Sequence, residues 1–191
     1  MGVNIPNWLL QRARLTPDRT ALIFKEQSWT FREMLYQIMA RAERLSAIPG
    51  LAGGRAAILM RNHPETVWMI HALQQLQTET VCLNNRLTAE ELSFQLEDSL
   101  AVAVIYDEEF DLAAKELHSR HPDVHIIPAT ELLSMEKKAV DLTYEFSLDT
   151  VCSIMYTSGT TGKPKGVLQT YGNHWWSAIG SSLNLGLDTE D

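Results

Sequence analysis

Apolar residues along the first 150 positions switch repeatedly between two spacings. "PNWLLQRARL" places Trp8, Leu9 and Leu15 at helical intervals, and "TALIFK" after it reads as a short strand. In "TFRE", Thr30 and Glu33 have the spacing of a capping box, in which each side chain satisfies a backbone donor of the other residue. The helix it opens is expected to run to about Ala47, where "IPGLAGG" ends it. "RAAILM" reads as a buried strand, apolar without a break after Arg55, as burial on both faces requires. Pro64 marks the first turn of a further helix, "PETVWMIHALQQLQ".

The alternation continues. "TETVCLN" reads as a strand, and Thr88 with Glu91 forms a second capping box before "ELSFQLEDS". "AVAVIYD", "EEFDLAAKELHSRH" and "VHIIP" read as strand, helix and strand. After "TELLSMEKK" the pattern fades into a polar connector to about Thr150. "VCSIMYT" and "GVLQTY" then read as two strands around a polar loop, and a helix follows over "NHWWSAIGSSLNL". This order predicts an α/β fold with a largely parallel sheet and flanking helices. In such sheets ligands gather outside the carboxyl ends of the strands, and the polar loop leaves one of those ends.

Charge narrows the choice of partner. The net charge is −8, and residues 107–150 hold eleven acidic against four basic side chains. That local excess around "DEEFD" reads as a solvated helix face. No basic stripe suits a nucleic-acid backbone or an anionic membrane. The opening residues lack a basic region followed by a long apolar core, Pro6 stands where a myristoylation signal wants Ser or Thr, and no apolar run reaches membrane-spanning length. Cys82 and Cys152 fall in strand-like runs, which suits two buried free thiols in a cytoplasmic protein.

The loop carries the candidate chemistry. "YTSGTTGKPKGV", Tyr156 to Val167, holds seven Gly, Ser and Thr residues and two lysines in twelve positions. Gly159, Gly162 and Gly166 let backbone approach a ligand without a Cβ in the way. Thr157, Ser158, Thr160 and Thr161 supply hydroxyls, successive backbone N–H groups make an anion-binding concavity, and Lys163 and Lys165 add positive charge. Pro164 stiffens the segment between the lysines. Two residues separate Gly159 from Gly162, and Pro164 follows Lys163, so this is not the P-loop that feeds a helix. It is a phosphate cradle between two strands; a polar hairpin with solvated lysines is the alternative from composition alone. His174 has no paired nucleophile in a recognisable arrangement, so it reads as structural or as a pocket wall. Adjacent Trp175 and Trp176 must face different ways. His63 reads as a helix cap, His118 and His121 as a helix end, and no histidine has zinc-site spacing.

From Ile154 to Gly166 the string closely resembles the phosphate loop of the adenylate-forming superfamily of acyl-CoA synthetases, peptide-synthetase adenylation domains and luciferase. "NWLLQRARLTPDRTALIF", "TFREM" and "ILMRNHPETVWMIHALQQL" look like its opening elements. "NWLLQRARLTPDR", "FQLEDS" and "QTYGNHWWSAIGSSLNLGL" most resemble the o-succinylbenzoate–CoA ligase branch, which serves menaquinone biosynthesis. The resemblance implies ATP, Mg²⁺ and coenzyme A, a small-molecule carboxylic acid as substrate, and phosphate contacts from Thr157, Ser158, Gly159, Thr160, Thr161, Gly162, Lys163 and Lys165. It assigns no catalytic or metal-binding residue here. Dimers are common in the family. Family members are more than twice this long, so residues 1–191 are expected to be the N-terminal portion of the AMP-binding domain, inactive alone and prone to associate. A ligase for another aryl or fatty acid, or a non-catalytic module that binds a phosphorylated ligand, is compatible with the same residues.

Overall fold

In the computed structural model, residues 2–158 and 163–186 are described. Six strands form the main sheet: β4 (Arg55–Leu59), β5 (Glu79–Cys82), β6 (Ala103–Tyr106), β7 (His125–Pro128), β9 (Val151–Thr157) and β10 (Lys165–Thr170). Their order across the sheet is β10-β9-β5-β4-β6-β7. All neighbours run parallel except β9 and β10, which form an antiparallel hairpin. The helices are α1 (Trp8–Leu15), α2 (Phe31–Leu45), α3 (Pro64–Gln75), α4 (Ala89–Ser99), α5 (Asp111–Arg120), the short α6 (Ala129–Leu132) and α7 (Tyr171–Leu185). This is the expected α/β architecture.

Both faces of the sheet centre are covered, which explains the unbroken apolar runs. Ala56 and Ile58 of β4 point into one core with Ile38, Met69 and Leu73. Ala57 and Leu59 point the other way, into a core with Val81, Leu92, Leu96, Val104 and Leu117. The ends of the helices are closed locally. Thr30 Oγ1 and Thr88 Oγ1 accept from the backbone N–H of Glu33 and Glu91, whose carboxylates accept from the Thr backbone N–H in return, each at 2.8 Å. His63 caps α3 through Nδ1, and His121 ends α5, as the sequence suggests.

Three strands escape the periodicity. β1 (Asn4–Pro6) pairs antiparallel with β8 (Glu145–Ser147), inside the stretch expected to be a polar connector. β3 (Gln27–Thr30) pairs with β2 (Thr20–Phe24) in a separate two-stranded unit. "TALIF" is therefore a strand, but outside the main sheet. The acidic stretch is also more engaged than a bare solvated face: Asp107 Oδ2 accepts from Arg61 N at 2.7 Å, Glu109 pairs with Arg61, and Asp111 accepts from Tyr106 Oη and Lys115 Nζ. No helix among the described residues is long and apolar enough to cross a membrane.

Candidate functional site

The Gly/Ser/Thr/Lys segment joins the carboxyl end of β9 to the start of β10, so it is a strand-to-strand loop. Thr157 and Ser158 are exposed at the end of β9, and Lys163 and Lys165 are exposed on the return. Thr157 and Lys165 are cross-strand partners at the mouth of the hairpin. Gly159, Thr160, Thr161 and Gly162 lie outside the described residues. Neither Lys163 nor Lys165 has an ion-pair partner among the described residues, which leaves their charge facing solvent at the loop mouth.

Below the mouth the hairpin is fastened on three sides. Tyr156, one residue before Thr157, donates from Oη to Asp98 Oδ2 at 2.7 Å and to the Gln95 carbonyl at 3.2 Å, both on α4. Burial first, then the Asp98 carboxylate, pushes the Tyr156 phenol well above its ordinary range, so it remains a donor. Its ring lies over Gly166, its partner in the register, where an added Cβ would come within 3.2 Å of both Tyr156 Cζ and Ile154 Cγ2. Gly166 was expected to give a ligand room. Its smallness instead gives room to the Tyr156 ring inside a regular strand pair.

The second fastening joins β9, β10 and α7. Ser153 Oγ lies 3.2 Å from Gln169 Oε1 and 3.1 Å from His174 Nε2. Sequence reading found no partner for His174, because Ser153 is twenty-one positions away. No carboxylate partner of His174 accompanies the pair among the described residues, and its role as a structural or wall residue stands.

The third fastening is the start of α7. Thr170 and Asn173 form a reciprocal cap, Tyr171 N donates to Thr150 O at 3.0 Å, and Gly172 N to Leu148 O at 2.9 Å. Tyr171 stacks on Phe146 with ring centres 4.1 Å apart, and Trp175 stacks on Trp8 at 5.7 Å. Trp176 is 65% exposed, so the adjacent pair does face two ways. Cys152 is buried and Cys82 half-buried, both as free thiols. Desolvation pushes both upward, Cys152 to about 11, which keeps them protonated and unreactive at neutral pH.

The arrangement can hold an anion at the mouth: exposed hydroxyls of Thr157 and Ser158, two lysines, and a base fixed to α4 and α7. Among the described residues no three His, Cys, Asp or Glu converge as a metal site.

Relatives with known activity share this framework. A 2-succinylbenzoate–CoA ligase of Bacillus cereus (strain ATCC 14579) is 45% identical over 191 residues, all of this chain. The chain spans 38% of that relative's length. Among solved structures, the Bacillus subtilis O-succinylbenzoate coenzyme A synthetase in complex with AMP superimposes with a TM-score of 0.91 at 42% identity, covering 99% of this chain and 48% of that one. The same enzyme in complex with ATP and magnesium ion gives 0.90 at 41%, covering 99% and 50%. The sequence pattern of the AMP-binding enzymes matches residues 9–190. That match takes in every strand of the six-stranded sheet and the loop between β9 and β10, and the chain belongs to the AMP-binding enzyme family.

Proposed function

We propose that this chain supplies the triphosphate-holding part of an ATP-dependent acid–CoA ligase acting on 2-succinylbenzoate in the cytoplasm. The observation that carries the reading is the Thr157–Lys165 loop, with its hydroxyls and two unpaired lysines, at the carboxyl end of a sheet strand. The identity of 45% with a 2-succinylbenzoate–CoA ligase supports the choice of acid.

A carboxylate is a poor acyl donor, because its charge repels nucleophiles and oxide leaves badly. The reaction proceeds in two displacements. A carboxylate oxygen attacks the α-phosphorus of ATP, the bond to the bridging oxygen breaks, and pyrophosphate leaves with its electron pair. The CoA sulfur then attacks the acyl carbon, the thiol proton is lost, and AMP leaves. Charge accumulates on the departing pyrophosphate, where fixed positive groups stabilise the transition state. In this reading Thr157, Ser158, Thr160 and Thr161 donate to the β- and γ-phosphate oxygens. Gly159 and Gly162 permit close backbone approach, and Lys163 and Lys165 offset the charge. The fastenings at Tyr156, Ser153 and Thr170 hold that mouth in place before the nucleotide arrives.

Lys165→Ala in the full-length enzyme is expected to slow adenylation by about 100- to 1000-fold, the range for removing one preorganised electrostatic donor. Thioester formation from preformed acyl adenylate should change far less. Single-turnover rates of the two half-reactions measure this, and equal losses in both would remove the loop from the first step. ATP–pyrophosphate exchange with 2-succinylbenzoate on residues 1–191 shows whether adenylation needs more chain.

A further inference from the structure

We infer that Tyr156 and Asp98 form a positioning pair for the adenylation step, in which Asp98, through Tyr156, holds both feet of the β9–β10 loop to the last turn of α4. The inference rests on the reading of that loop as a phosphate holder, and it names residues outside the loop that set its rate. Asp98 lies in "FQLEDS", which supplies none of the loop's own donors.

The C-terminal half of α4 is a fixed platform. Leu92 and Leu96 are buried against Ala57, Val81 and Val104. Arg55 Nη1 donates to the Ser99 carbonyl at 2.9 Å and Arg55 Nε pairs with Glu79 Oε2 at 2.6 Å, which ties the helix end to β4 and β5. Gln95 and Asp98 are one helical turn apart, so they share a side of α4. Tyr156 Oη meets both there, Asp98 Oδ2 at 2.7 Å and the Gln95 carbonyl at 3.2 Å. A hydrogen bond to a carboxylate is about twice as strong as a neutral one, so Asp98 is the principal acceptor. Asp98 makes no ion pair among the described residues, which leaves Tyr156 as its partner.

The other end of the tie is the entry to the loop. Tyr156 precedes Thr157, Gly166 follows Lys165, and the two cross-strand pairs are consecutive in the register. The Tyr156 ring takes the space that a Cβ at Gly166 would need, so one side chain fixes both strands where they enter the loop. Packing holds little there, because Met155, Val167 and Leu168 are exposed. The Tyr156 hydroxyl is engaged by α4, so it acts through Thr157 and Lys165 and not on the nucleotide. Charge grows on the leaving pyrophosphate as the transition state forms, and a displacement of about 1 Å in a preorganised site costs about 100-fold.

The test is single-turnover adenylation by the full-length enzyme, with thioester formation from preformed acyl adenylate measured beside it. Tyr156→Phe and Asp98→Ala are each expected to slow adenylation about 10- to 100-fold, with a fall in kcat that exceeds any rise in KM for ATP, and to leave thioester formation unchanged. Asp98→Asn keeps an oxygen acceptor and should recover most of the rate lost in Asp98→Ala. The double variant Tyr156→Phe/Asp98→Ala should be no slower than Tyr156→Phe, because Asp98 acts through that hydroxyl. A rise in KM alone, equal losses in the two half-reactions, additive losses in the double variant, or no recovery with Asp98→Asn would each overturn the inference. Lys165→Ala separates it from the reading it rests on. If Lys165→Ala slows adenylation and Tyr156→Phe does not, the loop keeps its role and the positioning pair falls. If Lys165→Ala has no effect either, the loop reading falls and takes the pair with it.

Discussion

The centre of the sheet and its hairpin end are built from similar amounts of apolar side chain, disposed differently. In β4 and β6, Ala57, Leu59, Val104 and Ile105 are completely buried between helices. In the hairpin, Met155, Val167 and Leu168 are 43%, 44% and 54% exposed. Val167 sits opposite Met155 in the register, and Leu168 points to the other face, so β10 is open on both sides. Along α7, Leu183 and Leu185 are exposed as well. The centre is held by packing. The hairpin is held by a few directed bonds, from Tyr156 to α4, from Ser153 to Gln169 and His174, and from the α7 N-terminus to Leu148 and Thr150. The loop between β9 and β10 is thereby positioned by contacts that leave its mouth uncovered.

Truncation tests that contrast most strongly. Leu59→Ala should cost about 2–5 kcal/mol, since the closed centre cannot collapse around the lost volume. Leu168→Ala should stay within about 0.5 kcal/mol, as expected of a surface substitution. Denaturant unfolding of both variants measures the difference, and similar costs would mean the hairpin is as tightly packed as the centre. Leu168→Lys should also reduce self-association in sedimentation, because large exposed apolar patches drive it.

A smaller effect is expected at the tie to α4. Tyr156→Phe keeps the ring over Gly166 and removes only the hydroxyl. Asp98 remains solvated, so the loss should be about 1 kcal/mol, the net worth of a hydrogen bond. Amide exchange should accelerate in β9 and β10 more than in β4, and uniform acceleration would show that this bond does not belong to the hairpin alone.

The smallest effect separates the helix caps by pH. Backbone and hydroxyl donors of Thr30 and Thr88 hold the Glu33 and Glu91 carboxyls below their ordinary value of 4.5. A lowered folded-state value means the contribution is complete above that ordinary value and is lost as pH falls through the lower one. The α7 cap uses Asn173, which does not titrate. Between about pH 5 and pH 3, exchange at the starts of α2 and α4 should quicken while the start of α7 holds steady. Glu33→Gln and Glu91→Gln should flatten the response of α2 and α4. An equal response in α7 would exclude the caps as its source.

Much of this was legible because the evidence is local. Thr30/Glu33 and Thr88/Glu91 are separated by one helical turn, and each box announces its helix. The α7 cap was missed since Asn173 stands where that pattern has Glu or Gln. β1 and β8 are three residues each and gain stability from one another across the chain, so neither shows a period of its own. The composition of the loop could be read from twelve contiguous residues. Its fastenings could not: Tyr156 meets an aspartate 58 positions earlier, and His174 meets a serine on a different element.

The pairing of β1 with β8 sets an order of events during synthesis. Asn4 and Glu145 are 141 positions apart and joined by a hydrogen bond, so β1 leaves the ribosome well before its partner. At about 5–20 residues per second that interval is about 7–28 s. The parallel strands β4 to β7 have all emerged within it. Ile5 and Trp8 therefore stay without their final neighbours until Phe146 and Trp175 arrive.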